Sequence, residues 1–149
     1  MNRPVAPTAL SATALPAATP PLFDRLAPHV LSILRIMAGL LFLAHGTAKV
    51  FGFPAHGQMP VFPELEWFAG RIELIGGGLV ALGLFTRPAA FIMSGEMAIG
   101  YFLGHAPRSV FPLLNGGDSP ILYCFVFLYL VFAGAGPWSV DALFRKRRS

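Results

Sequence analysis

The sequence predicts an all-α integral membrane protein: a bundle of four transmembrane helices with both termini on the cytoplasmic side. Three observations lead there. Of 149 residues, 55% are hydrophobic and only 12% charged, where a soluble domain carries about a quarter. The apolar residues fall into four runs of near-spanning length, separated by Pro, Gly and polar punctuation. Lys and Arg are distributed unevenly between the connections, as the positive-inside rule requires of a multi-pass protein. The net charge of +4 would raise nucleic acid as a partner for a soluble domain, but the basic excess sits in Arg145, Lys146, Arg147 and Arg148 and reads as a topology signal at the lipid bilayer. A nucleic-acid partner is not expected. The single cysteine, Cys124, excludes an internal disulfide and a CxxC redox pair.

Each element follows in order. Residues 1–27 are rich in Ala, Pro and Thr and lack the continuous apolar core of a signal peptide, so a disordered cytoplasmic arm is expected. Pro28 then opens the membrane domain, which runs over 28–142, because a missing N–H does no harm at a helix start. The first span covers about 30–50, and its roughly 21 residues at 1.5 Å each match the hydrocarbon thickness. The second, about 67–84, starts at the interfacial Trp67 and carries Gly76-Gly77-Gly78, where a neighbouring backbone can come close. The third, about 88–103, is short, starts at Pro88 and contains Ser94-Gly95 and Gly100. The fourth, about 120–135, is the most uniformly apolar, and Asp118 is expected to cap it ahead of Pro120. Residues 143–149 form a basic cytoplasmic tail.

Ionisable residues inside these runs are the candidate functional groups, since a charge in hydrocarbon costs several kcal/mol unless it faces a partner or a water-filled path. The connection 52–66 has no Lys or Arg and 104–119 has only Arg108, so these lie outside and the termini inside. Arg35 and Glu96 then fall about 7 and 12 Å from the cytoplasmic ends of their spans and are expected to form a buried ion pair. In the outer half, His45 and Lys49 stand one turn apart, and Glu73 enters from the same face; a cluster of Glu73 with His45 and Lys49 is expected, with Arg71 nearby. Bland readings stand beside these. Arg35 and Lys49 have stems long enough to snorkel, either carboxyl could be a structural hydrogen bond, His45 could bond a carbonyl, His105 reads as a loop residue, and Cys124 as a small apolar side chain. No set of side chains has metal-ligand spacing.

Arg35-x3-Gly39-x2-Phe42-x2-His45-Gly46-x2-Lys49, then Glu73-x2-Gly76-Gly77 leading to Gly83-Leu84-Phe85-Thr86-Arg87, then Glu96-Met97-Ala98 with His105 beyond, and finally Asn115-Gly116-Gly117 and Gly134-Ala135-Gly136-Pro137-Trp138-Ser139-x-Asp141, together resemble the DoxX family of small four-helix membrane proteins over about residues 30–142. The ordered combination is specific, whereas HGxxK alone would be weak. The resemblance implies a bacterial inner-membrane protein linked to respiratory or thiol redox chemistry. Family members are associated with quinone reduction beside a thiosulfate:quinone oxidoreductase, and with a membrane complex involving superoxide dismutase and a sulfurtransferase.

Residues and resemblance meet at one hypothesis, a head-group site for a quinone or similar redox ligand built from His45, Lys49, Glu73 and Arg71. A quinone carbonyl takes a hydrogen-bond donor, and its two-electron reduction takes protons, which a His beside a carboxyl and a Lys can handle. The chain carries no redox cofactor of its own, so electrons would come from a redox partner protein, and an oxidoreductase acting alone is not expected. The rivals are a non-catalytic scaffold that uses the same charges to lock helices and recruit partners, and a small transporter or proton pathway, for which four spans would need a homo-oligomer.

Overall fold

The computed structural model describes residues 21–54 and 59–147, and among these the chain is helical throughout. Six α-helices follow one another: α1 (Leu22–Phe51), α2 (Leu65–Leu82), α3 (Thr86–Gly100), α4 (Pro112–Asn115), α5 (Asp118–Ala133) and α6 (Val140–Lys146), with a π-helical turn over Tyr101–His105 prolonging α3. The four long helices lie close to the expected spans. α1 packs along α2, α2 on α3, α3 on α5 and α5 back on α1. Among the described residues, α1 alone is both long and apolar enough to cross a bilayer by itself; α5 is apolar but shorter, at 16 residues.

The first helix begins earlier than expected. Leu22 to Ala27, assigned from composition to the arm, forms the opening turns of α1, and Pro28 lies inside the helix. The segment supplies good helix formers and an acidic Asp24 in the first turn, where the helix dipole favours it. Proline forfeits only the bond to the carbonyl four residues back, and the turn is tied instead by Ser32, whose hydroxyl donates to the Pro28 carbonyl at 3.1 Å and accepts from Trp138 N–H at 3.3 Å. Residues 1–20 of the arm lie outside the described residues, and the supposed basic tail begins within α6.

α1 and α2 approach closely because glycines meet backbone. A Cβ on Gly77 would fall 2.6 Å from Leu43 N, and one on Gly46 would collide with the backbone of Leu74. Of the triplet, Gly76 lies under the Met93 side chain of α3 and Gly78 faces open space. Asp118 is not the cap of α5; Gly117 occupies that position, and no side chain bonds the first-turn N–H groups. Instead Asn115 Oδ1 accepts from Gly117 N at 2.7 Å and holds the approach to the helix.

The buried apolar core is narrow: Ala38, Phe42, Val80, Ala89, Ala90, Met93, Phe127 and Leu130. Phe42 stands at its centre with edge contacts to Tyr123 and Phe127, ring centroids 5.2 and 4.8 Å away. Polarity is inverted relative to a water-soluble fold. Arg35 is 0% exposed and Glu73 2%, while Phe91 and Phe132 are 66% and 73% exposed.

Candidate functional site

The ionisable residues resolve into two groups at opposite ends of the helices, and hydrogen bonding separates them by kind. At one end both charged groups are matched, and Thr86 Oγ1 alone of the buried side-chain polar atoms there has no partner among the described residues. Arg35 projects from α1 into the turn after α2 and the loop after α5, where Nη1 donates to the Val80 and Ala81 carbonyls at 2.5 and 2.6 Å. Nε donates to Ala135 O at 2.8 Å and Nη2 to Trp138 O at 2.5 Å. Val80 and Ala81 belong to the last turn of α2, where carbonyls run short of helical donors and carry the negative end of the dipole; Val80 O also accepts from the Gly83 N–H at 3.0 Å. Asp141 completes the knot: its two carboxylate oxygens each accept a backbone N–H, from Phe85 and Thr86, at 3.0 Å, and so cap α3. Its own N–H donates to Gly83 O at 2.9 Å.

The expected Arg35–Glu96 ion pair is therefore not formed. Similar depth in the membrane suggests the pair, but depth says nothing about which way a side chain turns around its helix. Five-donor guanidinium geometry is satisfied by clustered carbonyls at a helix C-terminus, and the arginine takes them.

The other end is unfinished. Lys49 Nζ donates to Glu73 Oε1 at 2.7 Å, linking α1 to α2 as expected. Glu73 Oε2 is buried without a partner, and so are both carboxylate oxygens of Glu96, which lies within electrostatic reach of Glu73 and Lys49. Glu96 thus joins this end of the molecule.

His45 does not meet Glu73. Its ring turns to α5, in edge contact with Tyr123 at 6.4 Å between centroids, and it makes no hydrogen bond among the described residues. Because Gly46 presses on the α2 backbone, its neighbour His45 points along the other flank of α1. Arg71 also leaves the cluster: Nη1 donates to Trp67 O at 2.8 Å, and Cζ stands 3.2 Å from the Trp67 ring centroid, a cation–π contact. His105 is part of the π-turn and not of a loop; Nδ1 bonds Asn115 O at 2.9 Å and its ring lies parallel to Tyr101. Cys124 is a free, partly buried thiol beside Ser94, whose hydroxyl donates to Cys124 O at 2.9 Å.

Two apolar grooves flank the long helices. One, of about 340 Å³, runs between α1 and α5 and is lined by Leu34, Met37, Leu41, Leu122, Val126 and Tyr123, the ring that meets His45. The other, of about 220 Å³, lies between α2 and α3 with Arg71 on its rim. Tyr123 escaped the sequence reading because it sits in the most apolar run, where it and Tyr129 are the two phenols and nothing in the spacing separates one from the other.

The DoxX family model matches residues 30–106, half of the chain. The chain belongs to the DoxX family. A protein of Haemophilus influenzae, described as uncharacterized, is 43% identical over 130 residues, covering 83% of this chain and 97% of its own. An uncharacterized membrane protein of Mycobacterium tuberculosis is 31% identical over 148 residues, covering 80% of this chain and 83% of that one. No solved structure matches. As a DoxX membrane protein, the chain buries the charged Arg35 and Glu73 and turns many of its large apolar side chains outward, the arrangement a lipid solvent favours.

Proposed function

We propose that this DoxX protein is a four-span protein of the bacterial inner membrane with both termini cytoplasmic, and that the unfinished end of its bundle is a quinone head-group site in a complex that draws electrons from a partner protein. The observation that carries the reading is His45: an imidazole with no hydrogen bond among the described residues, beside Tyr123 at an apolar groove and one helical turn from the Lys49–Glu73 pair. An apolar groove suits a polyprenyl tail, and a ring N–H suits the carbonyl of the head group. Lys49, whose side chain is 30% exposed, offers a second donor. Reduction of the quinone takes two electrons, supplied by the partner, and two protons, for which His45 and the neighbouring carboxyls are placed. The position of His45 changes the expected division of labour: Tyr123, not Glu73, sets its ring.

The test is organic extraction and mass spectrometry of gently purified protein, with His45→Ala, Tyr123→Phe and Glu73→Gln variants checked for folding. Quinone retained in stoichiometric amount, and lost from folded His45→Ala, is the expected result. Its absence from every sample would favour the scaffold reading, for which the hydrogen-bonded Arg35–Asp141 knot is the structural argument.

A further inference from the structure

At the unfinished end the charge count does not close. Glu73 and Glu96 bring two carboxyl groups, and Lys49 brings one ammonium, already spent on Glu73 Oε1. Among the described residues no other Lys or Arg bonds to them, and the His45 ring is turned away to Tyr123 on α5. The Arg35 guanidinium is held by four carbonyls at the opposite end, and that of Arg71 by Trp67. The charges acting on Glu96 are Lys49 from α1 and Glu73 from α2; α5, packed against α3, carries no charged side chain beyond Asp118 at its first position.

Two features then need one explanation. With both carboxyls ionised, the interior would hold an uncompensated negative charge, at a cost of several kcal/mol. Three buried oxygens, Glu73 Oε2 and both of Glu96, are acceptors with no donor, and Glu73 is 2% exposed, so bulk water does not serve it. A metal ion is a poor answer, since among the described residues no three His, Cys, Asp or Glu side chains gather as ligands. One hydrogen ion answers both. It cancels the excess charge and converts an acceptor oxygen into an O–H donor.

We propose that Glu73, Glu96 and Lys49 form a proton-binding site inside the bundle, two carboxyls and one ammonium holding a single proton. The site lies in the cluster discussed above, but it stands on the count of charges and donors and requires no quinone. In a redox complex it would supply one of the protons that accompany reduction; alone, it is a point at which a proton can be stored and released within the membrane. The set is assembled from three helices, so a motion of α1 against α2 and α3 changes its occupancy.

Infrared difference spectroscopy of the purified protein in lipid at neutral pH tests this, read at the C=O stretch of a protonated carboxyl and its shift on hydrogen–deuterium exchange. The wild type should show one such band. Glu96→Gln and Glu73→Gln should each abolish it, since one carboxylate and one ammonium then balance. Lys49→Met, which removes the counter-cation, should double it, and Glu96→Asp should move it without removing it. Circular dichroism confirms that each variant is folded. A wild type without the band, or a band that survives Glu96→Gln or fails to grow in Lys49→Met, overturns the proposal. Quinone content plays no part in these outcomes, so the two readings fail separately.

Discussion

Arg35 has no carboxylate partner at hydrogen-bond distance, and its charge is held instead by four backbone carbonyls. Removing it takes the donor from the Ala81, Ala135 and Trp138 carbonyls, at about 1–3 kcal/mol for each buried group left unsatisfied, while Val80 O keeps its bond from Gly83 N–H. Arg35→Lys keeps the charge but offers three donors from a point in place of a planar fork. We therefore expect Arg35→Lys to lose at least about 2 kcal/mol of stability in a detergent unfolding titration, with retention of any quinone by the folded fraction unchanged. Asp141→Ala removes both N–H acceptors at the start of α3 and should cost about 0.5–2 kcal/mol by the same measurement. Sequence alone identified Arg35 and Asp141 as notable but not as neighbours. One lies in a helix and the other more than a hundred residues away, and nothing in either local pattern says that a turn's carbonyls will gather between them. Lys49 and Glu73 were legible because each is short of alternatives at its depth. His45 and Glu96 were misassigned for the same reason as Arg35: rotation about a helix axis is settled by packing, here by Gly46 against α2, and not by position along the helix.

Helix boundaries were legible to within a few residues wherever glycine or proline ends an apolar run, as at Gly52 and Gly83, both left-handed caps. The start of α1 was not, because Pro28 and the charged pair Asp24-Arg25 resemble loop chemistry, yet a proline in an early turn can be tied down by a neighbour such as Ser32. The α1–α2 seam gives the sharpest test at this scale. Gly77→Ala places a methyl 2.6 Å from Leu43 N and must force the helices apart, costing about 1–3 kcal/mol. Gly78→Ala, one residue on, meets nothing within 4 Å and should stabilise the helix by about 0.5–1 kcal/mol. Thermal denaturation followed by circular dichroism distinguishes them. If both glycines tolerate alanine equally, the seam is not where the helices touch.

For the molecule as a whole, composition was the strongest signal, since 12% charge in 149 residues leaves too few polar groups to clothe a water-facing surface. The proposed four-span arrangement, with both termini cytoplasmic, predicts that fluorescent protein fused at the C-terminus glows and that alkaline phosphatase fused there is inactive, whereas phosphatase fused after Gly52 is active. The reverse pattern would invert the topology and place the proton-binding carboxyls nearer the cytoplasm.

The unequal tying of the two ends has a mechanical consequence. Arg35, Asp141 and the Ser32 hydroxyl stitch α1, the α2–α3 turn and the chain after α5 into one rigid base, while at the far end the Lys49 ammonium joins α1 to α2 and His105 joins the π-turn only to nearby Asn115. Such a body behaves like tweezers: it splays at the free tips and pivots at the fused root. Amide exchange should therefore be slowest around Val80 and Ala135 and quickest towards Val50 and Tyr101, and whatever enters or leaves does so sideways between the tips.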